Sequence, residues 1–214
     1  PPNPDDWKHL EQHYDRMTMN IVGSNSPANL ASRPARYVVF DECCKFAKAT
    51  SEEASAMQLG AQRTKTFREM GMRIATSTPT TAEDEFWLGC LGGDMREFWI
   101  PCPSCKQSMP LNHVLMDSPQ DLEAIRSAPE DADFSLHWDK AKARQTDGTW
   151  DEKIVSETAH FRCVNCEYPI SDHEKPSLLL SGEWNPLFAG RAENTRSYQL
   201  TSFYSPDVTF GQMA

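Results

Sequence analysis

Two adjacent acidic residues, Asp41 and Glu42, are well placed for catalysis, because they directly follow the apolar run Tyr37–Phe40. Four consecutive large apolar residues predict a strand of a parallel sheet that is buried on both faces. Ligands of such sheets bind at the carboxyl ends of the strands. There the first carboxylate would help to hold Mg²⁺ and the second would polarise the attacking water, as in the Walker B motif of nucleotide hydrolases. The alternative is a strand that ends in two solvated acids, which is a common arrangement.

A nucleotide site also needs a loop that cradles phosphates, G-x-x-x-x-G-K-[ST]. The sequence contains no Gly-Lys dipeptide, so this loop is not within it. Either Asp41 and Glu42 do not serve a nucleotide, or the loop lies upstream of residue 1. In the second case we expect the chain to be an internal piece of a longer polypeptide.

A second short strand, predicted over Met72–Thr76, ends in the polar run Ser77-Thr78-Pro79-Thr80. Between the two strands we predict a helix that is capped by Thr50 or Ser51, so that the region forms a βαβ crossover. Hydroxyl groups at the end of a neighbouring strand could sense the γ-phosphate and relay its loss. The alternative is an ordinary turn rich in serine, threonine and proline.

Four of the seven cysteines form two C-x-x-C pairs, Cys102 with Cys105 and Cys163 with Cys166. Four thiolates suit tetrahedral Zn²⁺, and each pair follows a predicted strand that could form one side of a hairpin. The 57 residues between the pairs exceed the usual zinc-ribbon spacing and require a long excursion. A redox C-x-x-C motif is the alternative, although it normally occurs singly at the start of a helix. Three histidines could substitute as ligands: His113, His137 and His160. The other three cysteines are expected to pack as small apolar groups: Cys43, Cys44 and Cys90.

Composition limits the functions that remain. The 214 residues carry a net charge of −10, and 117–157 alone hold 11 acidic against 5 basic residues, which predicts an exposed, turn-rich excursion. This balance argues against broad non-specific binding of nucleic acid, which needs clustered basic residues. No apolar run approaches the roughly 20 residues that a transmembrane helix needs. Paired cysteines without a leader indicate a reducing compartment.

Local patterns predict four further elements. Trp7, Leu10 and Tyr14 are spaced three and four residues apart, which predicts a helix within 1–16. Residues 17–22 are predicted to form a short strand. Residues 182–186 are predicted to form a turn, and the alternating residues 197–204 are predicted to form a strand.

Taken in order, these pieces resemble the large terminase subunit of lambda-type tailed phages, the motor that cuts and packages viral DNA. The resemblance spans nearly the whole chain, and the joint order of the pieces is more specific than any one of them. The matching stretches, besides the two cysteine pairs, are Gly23–Leu30, Ser32–Pro34, Tyr37–Glu42, Arg63–Phe67, Ser77–Thr80, Gly182–Trp184 and Phe203–Pro206.

The resemblance implies a role for each motif. Asp41 is expected on the Mg²⁺ side of ATP, Glu42 is expected to be catalytic, and Ser77, Thr78 and Thr80 are expected to form the motif that couples hydrolysis to DNA movement. The family carries its P-loop before this segment and an RNase H-like nuclease after it. The segment alone is therefore expected to complete neither reaction.

The resemblance also implies partners, namely double-stranded viral DNA, the small terminase subunit, the portal protein and further copies of the same chain. The protein is expected to act in the host cytoplasm, and no membrane is expected to be involved. The parent protein is expected to package DNA into procapsids with ATP and to cleave concatemers. The sequence departs from the family where Lys106 and Glu167 replace the glycine that often follows each C-x-x-C, and where Cys44 replaces an acidic residue.

These observations predict an α/β fold, namely the C-terminal part of a P-loop ATPase sheet with a zinc-ribbon-like insertion. We expect a partial ATPase domain over 1–92, the insertion with its acidic excursion over 93–180, and over 181–214 a segment that leads toward a nuclease. Two other functions remain open, a non-enzymatic zinc-binding interaction module and a helicase-like ATPase.

Overall fold

The structure is a computed structural model that describes residues 7–46, 48–50, 54–111, 136–191 and 194–214. The chain divides into two compact units, Pro1–Leu88 and Gly89–Ala214. Both mix helices with small sheets, so the α/β class is confirmed. No helix among the described residues is long and apolar enough to cross a bilayer. The three-part division at residues 92 and 180 stays a prediction.

The first unit begins with an antiparallel meander of β1 (Trp7–Lys8), β2 (Glu11–Tyr14) and β3 (Met17–Asn20). The predicted helix is wrong here, whereas the strand predicted over 17–22 is confirmed for Met17–Asn20. Tyr14 lies opposite Met17 across a tight turn. The helical spacing of Trp7, Leu10 and Tyr14 is therefore not decisive, because this segment forms paired strands instead. Helix α1 (Pro27–Ser32) follows, with a proline in its first turn.

The predicted strand–helix–strand unit is confirmed. Strand β4 (Tyr37–Phe40) pairs in parallel with β5 (Met72–Ala75), with Phe40 opposite Ala75. Helix α2 (Ala56–Arg63) lies between them in the chain. Its cap is Ser55, whose hydroxyl accepts a hydrogen bond from the Gln58 amide, and not the predicted Thr50 or Ser51. A helix is capped by the residue that directly precedes its first turn, and here that residue is Ser55.

The expectation that β4 is buried on both faces is wrong. Tyr37 and Val39 are 58% and 64% exposed, whereas Phe40 is buried. Helix α2 packs on one face only, where a Cβ at Gly60 would lie 2.5 Å from the Phe40 ring. Among the described residues, β4 pairs with β5 alone, and no element covers the face that carries Tyr37 and Val39.

Between these strands in the chain, the first unit has 3₁₀ turns at Cys43–Lys45 and Lys65–Met70. Helix α3 (Glu85–Leu91) follows β5 and contains the boundary between the two units. The residues that carry the candidate chemistry therefore lie on the connections that leave β4 and β5.

The second unit contains a four-stranded sheet built around β6 (Arg96–Pro101). Strands β7 (Ser108–Pro110) and β11 (Glu183–Pro186) pair with β6 in antiparallel fashion, and β12 (Tyr198–Gln199) pairs with it in parallel. The turn predicted at 182–186 is wrong, because the Trp184 ring packs edge-on against Phe98 at 5.1 Å and makes this segment a strand.

The strand predicted over 197–204 is only partly correct. It ends at Gln199 and is followed by a 3₁₀ turn, Ser202–Tyr204. Phe203 and Tyr204 are neighbours and both are buried. A strand would point them to opposite faces, whereas the turn places both in one core.

A second sheet consists of β8 (Leu136–His137), β9 (His160–Arg162) and β10 (Pro169–Ile170). The described part of the acidic excursion is ordered into β8 and helices α4 (Lys140–Ala143) and α5 (Glu152–Thr158), while 112–135 lie outside the described residues. Helix α6 (Lys175–Leu180) and a last 3₁₀ turn, Phe210–Gln212, complete the unit. One buried core joins the two hairpins and the C-terminal segment; its large members include Ile100, Met109, Leu111, Phe161, Ile170, Phe203 and Phe210.

Candidate functional site

Asp41 and Glu42 lie at the carboxyl end of β4 and are both exposed to solvent. Glu42 adopts a left-handed backbone conformation, with φ of 54°, and precedes the 3₁₀ turn Cys43–Lys45. Non-glycine residues in this region are uncommon and carry some strain. The chain thus turns sharply at Glu42, directly after the strand, and presents two carboxylates at the sheet edge.

The end of β5 contacts the same turn. The Thr76 hydroxyl donates a 2.9 Å hydrogen bond to Oδ1 of Asp41. The backbone N–H of Cys44 donates to the Ser77 hydroxyl at 3.0 Å, and that of Cys43 donates to the Thr76 carbonyl. Asp41, Thr76, Ser77 and the turn at Cys43 and Cys44 therefore form one hydrogen-bonded group, because parallel pairing brings the two strand ends to the same edge.

The other two hydroxyls of the predicted coupling motif are placed differently. Thr78 is exposed. Thr80 donates both its N–H and its hydroxyl to Oδ2 of Asp84, at 2.9 and 2.8 Å. Backbone N–H groups of Thr81 and Thr80 hold the pKa of Asp84 well below its usual range. Thr80 is therefore bound to the start of α3, whereas Ser77 is bound to the turn after β4.

A cleft of about 310 Å³ lies beside this group in the first unit, and its lining includes Cys44, Lys48, Ser55, Asp84 and Glu85. The Ser55 hydroxyl donates to Oε2 of Glu85 at 2.7 Å, which connects the first turn of α2 to that of α3. The cleft is bordered by the connection after β4 and by the starts of α2 and α3.

The second unit brings the two C-x-x-C pairs together. The sulfur atoms of Cys102, Cys105, Cys163 and Cys166 all lie within 4.8 Å of one another. Sγ of Cys102 is 3.7 Å from Sγ of Cys166, and Sγ of Cys105 is 3.8 Å from Sγ of Cys163. A tetrahedral zinc site with Zn–S bonds of about 2.3 Å has sulfur–sulfur edges of about 3.8 Å. The donor set and its spacing therefore fit Zn²⁺.

The two hairpin turns that carry these cysteines have the same backbone geometry. Cys102 accepts from the N–H of Lys106 and donates to the Gln107 carbonyl; Cys163 likewise accepts from Glu167 and donates to the Tyr168 carbonyl. Lys106 and Glu167 have φ of 63° and 58°. The terminase resemblance leads us to expect glycine at these two positions. The left-handed turns form without it, although a side chain is strained there.

The thiols differ in acidity. Burial raises the pKa of Cys163 to about 12, whereas the backbone N–H of Tyr168 lowers the pKa of Cys166 to about 7. A metal needs thiolates, so binding must displace a proton from Cys163.

The other predicted candidates within the described residues do not join this cluster. His137 and His160 stack on each other, 6.0 Å between ring centroids, at the end of β9 opposite to Cys163. His113 lies outside the described residues. Cys43 is buried and donates to the carbonyls of Phe40 and Thr76, as expected of a packed thiol, while Cys44 and Cys90 are half-buried.

The model of one protein family, described as phage terminase large subunit gpA, ATPase domain, matches residues 3–184. The chain belongs to this family. The terminase resemblance predicted from the motif order is therefore confirmed, and the family assigns the chain to the ATPase domain of a DNA-packaging motor. Comparisons with curated proteins and with solved structures gave no match.

Two residues of this terminase domain were missed by the sequence analysis, Thr76 and Asp84. Thr76 directly follows β5, just as Asp41 directly follows β4. The parallel register alone could therefore have indicated that the side chains of Thr76 and Asp41 are in contact. Asp84 gave no comparable signal, because its role depends on a four-residue turn that returns to Thr80. The roles of Asp41, Glu42, Ser77, Thr78 and Thr80 stay predictions.

Proposed function

We propose that this chain is part of the large subunit of a phage terminase and forms the hydrolytic and coupling half of its ATPase site. The observation that carries this proposal is the hydrogen-bonded group at the carboxyl ends of β4 and β5, in a chain of the terminase ATPase family. The phosphate-binding loop and the nuclease would be supplied by parts of the protein outside 1–214.

Asp41 and Glu42 would have separate roles at the γ-phosphate. Mg²⁺ bound to ATP neutralises charge on the phosphates. Asp41, the strand-end carboxylate held by Thr76, would hold the metal through water. Glu42 would orient the attacking water and accept its proton, as an exposed carboxylate on a sharp turn can do.

Ser77, Thr78 and Thr80 would couple this chemistry to movement. Ser77 is hydrogen-bonded to the backbone just beyond Glu42, so a shift of the turn after β4 would reach it directly. Thr78 is exposed next to it and would face the nucleotide or a neighbouring subunit. Thr80 connects the loop to Asp84.

The four cysteines would bind one structural Zn²⁺. Cys102 and Cys163 are buried within the core of the second unit, and Cys166 is exposed, so the ion would lie at the edge of that core. Its effect would be to fix the two hairpins to each other, because metal binding in such a site contributes directly to folding.

The parent protein would package double-stranded DNA into procapsids in the host cytoplasm and cleave concatemers. It would act as a homo-oligomer with the small terminase subunit and the portal protein. Membership of the terminase family supports DNA and packaging partners in general, and these particular partners are part of the proposal.

A packaging assay with the full-length protein tests the proposal. Purified terminase, procapsids and ATP are expected to protect linear double-stranded DNA from added nuclease. Replacing Glu42 by Gln should abolish protection, whereas replacing Glu69 by Gln, another exposed carboxylate of the first unit, should not. If wild-type protein loads with zinc but neither hydrolyses ATP nor protects DNA, a zinc-binding interaction module becomes the better interpretation.

A further inference from the structure

Two stretches that carry the terminase resemblance have no role in the proposed ATPase site, Ser32–Pro34 and Arg63–Phe67. The structure brings them together in the first unit. The Ala35 N–H donates to the Arg63 carbonyl at 3.1 Å, and the Arg63 guanidinium donates to the Ala31 carbonyl. Arg63 therefore fixes the end of α1 to the end of α2, beside the point where β4 begins.

The 3₁₀ turn Lys65–Met70 closes at the same place. Nε of Arg36, the residue before β4, donates to the Met70 carbonyl at 3.2 Å. A Cβ at Gly71 would lie 2.9 Å from the Thr64 carbonyl oxygen, so the two ends of the turn approach more closely than a side chain at Gly71 would permit. The turn is therefore fixed both to itself and to the amino-terminal end of β4.

Three cations lie here, Arg36, Lys65 and Arg68, and we call them the basic cluster. All three are exposed, and among the described residues none of them lies within 4.0 Å of a carboxylate oxygen. The Arg36 guanidinium lies over the Tyr37 ring, with its carbon 5.1 Å from the ring centroid, which restricts its orientation. Glu69 is the one acid within the turn, so positive charge is in excess.

Arg68 also has an unusual backbone conformation. Its φ of 50° and ψ of −124° interrupt the turn, in a region that favours glycine. The Gly71 N–H donates to the Arg68 carbonyl at 3.1 Å and helps to hold this conformation. Strained residues persist only where the surrounding structure enforces them, and they concentrate at functional sites. The turn thus keeps an arginine exposed at a position where glycine would fit with less strain.

We propose that the basic cluster binds the phosphate backbone of double-stranded DNA, independently of sequence. This inference rests on the proposed packaging function. Duplex DNA carries one negative charge per about 1.7 Å of its axis, so each exposed cation can contact a phosphate. Such contacts position a protein on DNA but carry no sequence information, which suits a motor that must move along any sequence. Because the whole chain has a net charge of −10, the attraction depends on this local cluster.

The basic cluster lies at the opposite end of β4 from the candidate catalytic residues. Arg36 directly precedes the strand and Asp41 directly follows it. A strand of four residues rises about 13 Å. DNA bound at the basic cluster would therefore leave the carboxyl end of the strand accessible to the nucleotide.

The salt dependence of DNA binding by the full-length terminase tests the inference. Fluorescence anisotropy with a labelled duplex of random sequence gives the binding constant at several salt concentrations. Each phosphate contact contributes about 0.9 to the slope of log K against log salt concentration. The triple variant Arg36→Gln, Lys65→Gln and Arg68→Gln should therefore lower the slope by about 2.7 and weaken binding about tenfold or more at low salt, equally on a second, unrelated sequence.

Two control variants separate charge from other effects. Arg36→Lys, Lys65→Arg and Arg68→Lys together keep all three charges and should keep the wild-type slope. Arg16→Gln removes an exposed cation from the turn between β2 and β3 and should also leave the slope unchanged. ATP hydrolysis without DNA should stay within about twofold of wild type in every variant, because none of these residues lies at the carboxyl ends of β4 and β5.

The possible failures are distinguishable. A wild-type slope in the triple glutamine variant, with normal ATP hydrolysis, would overturn the inference and leave the proposed function intact. If that variant binds DNA normally but packages it poorly, the basic cluster contacts an acidic protein surface, and the assignment to DNA is wrong. A wild-type protein that hydrolyses no ATP would contradict the proposed function itself and with it the basis of this inference.

Lysine labelling of the wild-type protein covers the case in which the triple variant fails to fold. Saturating duplex DNA should slow the reaction of Lys65 with an amine-specific reagent about threefold or more, as measured by mass spectrometry. Lys153 has a highly exposed side chain beside Glu152 and Glu157, and its reaction should not change. Equal labelling of Lys65 with and without DNA would show that the basic cluster does not bind DNA.

Discussion

The Thr76 hydroxyl donates a 2.9 Å hydrogen bond to Oδ1 of Asp41 across the carboxyl ends of two parallel strands. Asp41 is exposed, so without this donor its side chain could rotate away from a bound metal. The strand that follows the crossover thus orients the carboxylate of the strand that precedes it.

Removal of the Thr76 hydroxyl should therefore impair ATP hydrolysis. We expect Thr76→Val in the full-length terminase to lower kcat/KM for ATP about fivefold, because Asp41 loses a donor that fixes its orientation. Thr76→Ser keeps the hydroxyl and should remain close to wild type. Equal kinetics for Thr76→Val and wild type would show that the contact does not orient Asp41 during turnover.

Zinc content tests the four-cysteine site. The reduced, purified protein should contain about one zinc ion per chain by elemental analysis. Cys163→Ser removes a buried ligand and should eliminate the zinc and the cooperative unfolding of the second unit. Cys90→Ser, a change outside the cluster, should keep both. Wild-type protein that is folded and free of zinc would contradict the site.

Glycine at the two strained turn positions should stabilise the second unit. Lys106→Gly and Glu167→Gly each relieve a left-handed residue, and we expect each to raise the free energy of unfolding by about 0.5–1 kcal/mol in urea titrations of zinc-loaded protein. Lys106→Ala removes the side chain but retains the strain, so it should give no gain. A loss of stability in both glycine variants would show that the turns are not strained.

The buried carboxylate of Asp94 makes stability depend on pH. Burial opposes its ionisation, but hydrogen bonds from Arg196, Arg96 and Ser197 outweigh burial and keep its pKa in the folded protein at about 2, below the value of about 3.9 in an unfolded chain. The folded state therefore binds fewer protons between these values, and the contribution of Asp94 to stability is complete above pH of about 4 and is lost as the pH falls toward 2. Urea titrations across this range should show the loss in wild type and in Asp207→Asn, a surface control, and a smaller loss in Asp94→Asn.

The sequence predicted the elements whose signals are local. The apolar run Tyr37–Phe40 and its acidic end indicated a parallel strand, and each C-x-x-C indicated a hairpin turn. Both are confirmed. Their spacing also indicated a four-cysteine cluster, although 112–135, within the long excursion between the pairs, lie outside the described residues.

The errors arose where distant partners decide the structure. Glu183–Pro186 has turn-forming residues, but pairing with β6 and the contact of Trp184 with Phe98 make it a strand. Trp7, Leu10 and Tyr14 fit a helix as well as they fit strands, and only the turn between Tyr14 and Met17 distinguishes the two. Asp84 is defined by its hydrogen bonds and not by any motif.

The burial of β4 was overestimated for a related reason. Continuous hydrophobicity indicates two covered faces, but it does not identify what covers them. In the described chain α2 covers the face of Phe40, and the face with Tyr37 and Val39 remains open.

ATP turnover by the full-length terminase with Glu42→Gln tests the central claim most directly. Steady-state phosphate release should fall about a hundredfold or more relative to wild type and to the Glu69→Gln control, because the attacking water loses its base. Binding of a fluorescent ATP analogue should be unchanged, since Glu42 acts on water and not on the nucleotide. Turnover by Glu42→Gln at the wild-type rate would contradict the assignment of this strand end to ATP hydrolysis.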